Sequence, residues 1–367
     1  MWQLKNMIKI ISVVGARPNF MKIAPLKRAF DSREQIEAII VHTGQHYDAQ
    51  LSDLFFKELN LPMPKYNLGI GSGRPAWQMG MMMLKLDEVV EKETPDMIIV
   101  YGDTNSTAAG AIVAAKNDLP LIHIEAGLRE FDRRIPEEVN KLLTDAVADY
   151  YFSPTQTGVD NLKKVGITHN VYNTGDVGID LIYQNLEKIK QNTAILEKHH
   201  LSQKGYYFMT CHRANNTDKV ENLRAILSLF KQLDLPVIFP MHPRTKAAIE
   251  RHGLQKMLDA PNLILSPPIG FWDTQTLVRF AKAVITDSGG IIKESYFHRT
   301  PGVIIDGQTE WIETVEEGWN TIAGPNTKKV LYFLANLPVP SHHSNCLGDG
   351  TAAQQIVNII KNHQYVK

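Results

Sequence analysis

Among the charged residues of one short stretch, three carboxylates, two arginines and a histidine stand where they could converge on one region. Asp103, Glu125 and Glu137 lie between Ile98 and Asn140, in the company of His123, Arg129 and Arg134. Carboxylates can take a proton and return it, and arginines hold anions. Converging on one region, these types point to acid–base chemistry on an anionic ligand.

The elements that must position them are legible. Met97 to Val100 is an apolar run of the kind that a strand buried on both faces needs. Gly102 follows, then Asp103, Thr104 and Asn105, all suited to an N-cap, then an Ala-rich helical run from Ser106 to Lys116. Leu119 to Ile124 is a second apolar run, ended by Glu125-Ala126-Gly127. Strand–helix–strand puts Asp103 and Glu125 just past the C-terminal ends of neighbouring parallel strands. Open α/β sheets bind ligands at that edge. Pro136 opens a helix with Glu137 and Glu138 in its first turn.

Upstream, Ile8 to Val14 reads as a strand, and Pro18 starts the helix after the Gly15-Ala16-Arg17 turn. Arg17 and Lys22 therefore share the sheet edge with Asp103, where a strand end meets a helix N-terminus and a phosphate is well received. No GxGxxG fingerprint accompanies them. Ala38 to Val41 is the next strand, followed by a polar loop from His42 to Asp48 that contains Gln45 and His46. Its histidines have no Cys or HExxH partner, so no metal is expected. Met79 to Met83 begins a helix whose methionines suit core packing.

After strands at Tyr150 to Ser153 and Val171 to Thr174, one long helix is expected from about Gly175 to His200, serving as a connector. The strand-and-helix pattern then restarts. Tyr206 to Met209 ends in His212-Arg213, and Val237 to Phe239 ends near His242. Asn262 to Leu265 precedes Phe271, and Ala283 to Thr286 ends in Asp287-Ser288-Gly289-Gly290. The Ser288-Gly289-Gly290 turn at a helix start suits a diphosphate, with Glu294 one turn in to take a ribose diol. The fold class is therefore α/β: two Rossmann-like, doubly wound domains facing across a cleft. The expected domains are residues 1–180 and 181–349.

Composition narrows the partners. At 367 residues the chain is too long for one ordinary core. Lys plus Arg is 39 and Asp plus Glu is 39, a balance that argues against nucleic acid or an anionic membrane as partner. The two cysteines, Cys211 and Cys346, form no disulfide framework. No apolar run has membrane-spanning length, so a soluble cytoplasmic protein is expected.

The motifs GARPNFMKIAP, VHTGQHYD, YGDTNST, HIEAGLR, PEEVN, TCHRANN, MHPR and TDSGGIIKES, in this order, resemble the UDP-N-acetylglucosamine 2-epimerase family nearly end to end. The resemblance implies the glycosyltransferase-B architecture, with a last helix near 350–367 packing back on the first domain, and a UDP-sugar substrate, with no cofactor and a homodimeric assembly. By motif it implies catalytic roles for Asp103, Glu125, Glu137 and His212. Arg17, Lys22, Arg213, His242, Phe271, Ser288, Gly289, Gly290 and Glu294 would bind the UDP-sugar. Gln45 and His46 match a loop that binds an activating sugar nucleotide in some bacterial members. The implied reaction eliminates UDP across C1–C2 and re-adds it with the proton on the opposite face. A hydrolysing epimerase and a glycosyltransferase of the same fold remain as alternatives.

Some positions depart from common members. Asn19 and Asn215 stand where Glu is usual, and Ile292-Lys293 replaces Gln-Glu. TEWIETVEEGWN resembles the branch acting on UDP-2,3-diacetamido-2,3-dideoxy-glucuronate, although Asp306-Gly307 stands where that branch usually has Arg-Asp.

Overall fold

The computed structural model describes residues 7–45, 56, 58–338 and 340–362, with the backbone alone at residues 17 and 18. The chain divides into two compact units, Met1–Gln184 with Asn345–Lys367, and Asn185–Ser344.

The first unit runs β1 (Ile8–Val14), α1 (Arg17–Asp31), β2 (Ile36–His42), β3 (Tyr66–Asn67), α2 (Pro75–Glu93), β4 (Met97–Tyr101), α3 (Asn105–Lys116), β5 (Leu121–Ile124), α4 (Pro136–Val147), β6 (Tyr150–Ser153), α5 (Gln156–Lys164), β7 (Val171–Asn173) and α6 (Val177–Gln184). Its described strands form one parallel sheet in the order β3-β2-β1-β4-β5-β6-β7. Every residue of β4 is fully buried, which is why the sequence there is continuously apolar rather than alternating. Small residues let α3 press onto the sheet: Ala108, Ala109, Ala111 and Ala114 are fully buried. Helix α2 begins at Pro75, earlier than the methionine cluster, because proline supplies its first turn. Met82 is buried, with Met81 and Met83 packed against the same core.

The second unit runs α7 (Leu186–Gln191), α8 (Ala194–Lys198), β8 (Tyr207–Thr210), α9 (Ala214–Thr217), α10 (Val220–Leu227), β9 (Val237–Pro240), α11 (Pro243–Arg251), β10 (Leu263–Ser266), α12 (Phe271–Phe280), β11 (Ala283–Thr286), α13 (Gly289–Phe297), β12 (Gly302–Ile304), α14 (Ile312–Glu316), β13 (Asn320–Ile322) and α15 (Thr327–Ala335). Its parallel sheet has the order β10-β9-β8-β11-β12-β13. Both sheets thus reverse direction once, between β1 and β4 and between β8 and β11. Ligands of doubly wound sheets sit at that reversal, outside the carboxyl ends of the strands.

The single long helix expected from residue 175 to 200 is not present. Three short helices, α6, α7 and α8, stand there instead. Asn185 and Asn192 leave helical geometry between them, and the Asn192 amide donates to Asp273 Oδ1 at 2.8 Å. Asparagine competes for backbone partners and breaks a helix where tertiary contacts reward it.

The last helix, α16 (Ala352–Asn362), packs against α1 and α6. The Asp180 carboxylate on α6 caps it by accepting from Ala352 N at 3.2 Å and Ala353 N at 2.7 Å. Gly175 makes the crossing possible: at φ +85° its absent Cβ would stand 2.6 Å from Gly348 Cα.

Candidate active site

At the β1–β4 reversal the first unit builds a pair of oppositely charged side chains. Asn19 fixes the turn after β1, its Oδ1 accepting from Gly15 N and Ala16 N at 3.1 Å each. Its amide donates to Tyr101 O at the end of β4, 3.0 Å away. Asn19 thus acts as donor and acceptor at once. One turn along α1, the Lys22 ammonium donates to Glu125 Oε2, and both side chains are 10% exposed. Glu125 itself sits at φ +69°, a left-handed conformation that few non-glycine residues adopt. Gly102 makes room for the pair. A Cβ there would lie 2.6 Å from Lys22 Nζ and 2.9 Å from Glu125 Oε2.

Asp103 follows Gly102 and leans on α4. The Asn140 amide donates to Asp103 O at 2.9 Å, and Lys141 Nζ lies 3.7 Å from Asp103 Oδ2. Lys141 is nearly buried and equally close to Glu130 Oε2. Glu137 is exposed in the first turn of α4, one turn before Lys141, so its helix start is moored to the Asp103 loop. Asp103, Glu125, Lys22 and the start of α4 therefore share one sheet edge.

The other charges in that stretch do something else. His123 is completely buried beneath the edge, with Nδ1 2.6 Å from Asp145 Oδ1 and Nε2 2.9 Å from Gly102 O. Arg129 is buried too and pairs with Asp145 Oδ2 at 2.6 Å. Burial pushes the Asp145 carboxyl up, but His123 and Arg129 outweigh burial and hold it below the usual range. Arg134 lies on the surface, paired with Asp132. The convergence expected of all six side chains thus reduces to the carboxylates and Lys22. His123 and Arg129 support the Gly102 and Leu128 backbone from below.

Gln45 is tied to the same edge: its side-chain oxygen accepts from Ser106 N at 3.1 Å and Ser106 Oγ at 2.7 Å, in the first turn of α3. His46 lies outside the described residues, and so does the side chain of Arg17.

In the second unit the β8–β11 reversal is organised by Asp287, which sequence reading passed over. Its buried carboxylate accepts from His212 N at 3.0 and 2.9 Å, from Arg213 N at 2.9 Å and from the Asn216 amide at 3.0 Å. This presents the His212 and Arg213 side chains at the strand ends. The His212 ring stacks on His242 with centroids 5.0 Å apart, and Arg213 Nη1 meets Asp306 Oδ2 at 3.3 Å. His242 caps α11 by accepting from Arg244 N. Phe271 opens α12, but its ring is buried edge-on against Trp272.

Ser288 caps α13, its Oγ accepting from Ile291 N. Gly289 and Gly290 form the first turn, whose N–H groups have no intrahelical acceptor and carry the positive end of the helix dipole. The space over Gly289 is tight: a Cβ there would stand 3.3 Å from both Glu310 Oε1 and Trp311 Nε1, and 3.8 Å from Arg213 Nη2. Glu294 is buried one turn on, with Oε1 3.8 Å from the corresponding point on Gly290. An anion is the ligand that such a turn receives. Among the described residues no cluster of His, Cys, Asp and Glu could hold a metal ion, and no helix is long and apolar enough to cross a membrane.

Known proteins share this arrangement. A family model described as UDP-N-acetylglucosamine 2-epimerase matches residues 28–361. The chain is 43% identical over 358 residues to a Methanococcus maripaludis protein named as a UDP-N-acetylglucosamine 2-epimerase homolog, with 97% of this chain and 100% of that one covered. It is 39% identical over 323 residues to UDP-2,3-diacetamido-2,3-dideoxy-D-glucuronate 2-epimerase of Pseudomonas aeruginosa, covering 86% and 88%. The crystal structure of Methanocaldococcus jannaschii UDP-GlcNAc 2-epimerase in complex with UDP-GlcNAc and UDP superimposes with a TM-score of 0.91 at 36% identity, covering 97% of this chain and 100% of that one. The chain belongs to the UDP-N-acetylglucosamine 2-epimerase family.

Proposed function

We propose that this protein is a UDP-sugar 2-epimerase that inverts C2 of a UDP-N-acetylhexosamine. The observation that carries the reading is the Lys22–Glu125 pair over Gly102, on the same edge as Asp103 and the first turn of α4. One carboxylate takes the C2 proton. The C1–O bond breaks, its electron pair leaves with the β-phosphate oxygen of UDP, and a C1=C2 double bond forms in a 2-acetamidoglucal. The steps then reverse: UDP oxygen re-adds at C1 and a second carboxylate delivers the proton to the opposite face of C2. Nothing is consumed, so no cofactor is needed. A C2 hydrogen in an N-acetyl sugar is weakly acidic, and two positioned proton carriers supply what simple deprotonation lacks.

His212, Arg213, His242 and the Ser288–Gly290 turn hold UDP while it is detached, and Glu294 takes the ribose. Asp103, Glu125 and Glu137 share the proton work. Lys22 stabilises the charged form of its carboxylate partner.

The substrate class is a UDP-N-acetylhexosamine of the UDP-GlcNAc type or its 2,3-diacetamido uronate. Incubation with each, followed by proton NMR, is the test. The manno epimer should appear in one of the two with no free sugar. Accumulation of free sugar and UDP would make the protein a hydrolase. Transfer to an acceptor with C2 intact would make it a glycosyltransferase.

The assembly proposed is a homodimer. Helix α4 is turned inside out: Glu138, Asn140, Lys141, Thr144 and Asp145 are buried, while Val139, Leu143 and Val147 form an exposed apolar stripe. Such a stripe fits a protein partner. Light scattering should give twice the chain mass, falling to one chain in Leu143→Glu. A monomeric wild type contradicts this.

A further inference from the structure

Trp311 is 1% exposed, and its indole Nε1 has no hydrogen-bond partner among the described residues. A buried indole N–H normally finds an acceptor, and leaving one unmet is costly. This one lies over the first turn of α13, 3.3 Å from where a Gly289 Cβ would stand, with Arg213 Nη2 on the same side. Helix α13 spans nine residues, so its N-terminal N–H groups and dipole are fully developed. A donor without an acceptor thus meets a set of donors without an acceptor. Above the indole ring stands the ammonium of Lys293, 4.8 Å from the ring centroid, itself 7% exposed. A cation on the ring face draws density from the ring and strengthens its N–H as a donor.

We propose that the Trp311 indole N–H is a fixed hydrogen-bond donor to the diphosphate of a nucleoside diphosphate seated at the start of α13, with Lys293 sharpening it. This rests on the reading that the second unit takes UDP. The indole is held by packing, so it gives up no side-chain freedom on binding. It only donates, and the ionised oxygens of a diphosphate only accept. Lys293 and Trp311 then form one device, a cation and the ring it polarises.

Two measurements test it. In protein labelled with ¹⁵N at the indoles, addition of UDP should shift the Trp311 Nε1–H resonance downfield, with the peak assigned by its loss in Trp311→Phe. Uridine should leave it in place. By calorimetry, Trp311→Phe should weaken UDP about tenfold, as loss of one hydrogen bond to a charged group does, and leave uridine affinity unchanged. UDP binding to the wild type with no change at any indole resonance overturns the proposal while leaving the UDP reading intact, even where the variant does not fold. Equal weakening of UDP and uridine overturns it as well, giving the ring a packing role only. Failure of the wild type to bind UDP removes the reading beneath it and the proposal together.

Discussion

Glu125 carries the strongest local constraints in the first unit. It holds a left-handed backbone, faces Lys22 and depends on Gly102 for space. A non-glycine residue there costs about 1–2 kcal/mol, and such strain collects at functional sites. Glu125→Gln, Asp103→Asn and Glu137→Gln are each expected to cut epimerisation by at least about a hundredfold, with UDP affinity by calorimetry little changed. If Glu125 only shapes its loop, Glu125→Gln will instead lower thermal stability and UDP affinity together while exchange per bound substrate stays at the wild-type rate. Gly102→Ala tests the same point from the backbone. Its Cβ would collide with both partners, so turnover should fall about a hundredfold, the scale of a misplaced catalytic group, in a protein that still folds. A fully active Gly102→Ala would remove the pair from the mechanism. Asp103, Glu125 and the Ser288–Gly290 turn were legible in sequence because they sit at strand ends, and Glu137 because a proline opens its helix. Asp287 and Lys141 were not, because what they hold lies far along the chain, His212 being 75 residues from Asp287.

Helix α4 shows why an element can be located and still misread. Pro136 and the acidic first turn marked its start, but which face is buried could not be read from apolar spacing. Val139, Leu143 and Val147 recur at helical spacing and lie outside, while Lys141 and Asp145 lie inside. The inward face works through Asp145, which holds His123, Arg129 and Gly127 N. Removing one partner of a buried ionic set leaves uncompensated charge, at about 3–5 kcal/mol. Asp145→Ala should lose about that much in denaturant unfolding; a loss below about 1 kcal/mol would show the set to be solvated. The stretch between residues 175 and 200 failed differently. Its helix propensity was real, but the asparagines that end each piece are rewarded by contacts such as Asn192 to Asp273, which no local pattern reveals.

At the scale of the molecule, two sheets of one winding order each place their polar residues at a single reversal, and the strand punctuation announced that repeat. The short β3 and β13 carried too few residues to announce themselves. The closing helix α16 is pinned to the first unit by Asp180, whose carboxyl burial pushes up to about 7 against the two N–H groups that favour its charge. Between the ordinary value of 3.8 and about 7, the folded chain keeps a proton that the unfolded chain has released. Stability from this group is therefore present at low pH, falls as pH rises through that window, and is flat above it. Relative to Asp180→Asn, the wild type should lose melting temperature between about pH 5 and about pH 7; parallel curves would contradict the assignment.

The central claim is that C2 loses its hydrogen and regains one from solvent while UDP departs and returns. The direct measurement is incubation with UDP-N-acetylglucosamine and with its 2,3-diacetamido uronate in deuterium oxide, followed by NMR at C2. With the substrate that is turned over, deuterium is expected at C2 of the manno epimer, with no accumulation of free sugar. Epimer formed with its original C2 hydrogen retained, or neither substrate exchanging at all, would contradict it.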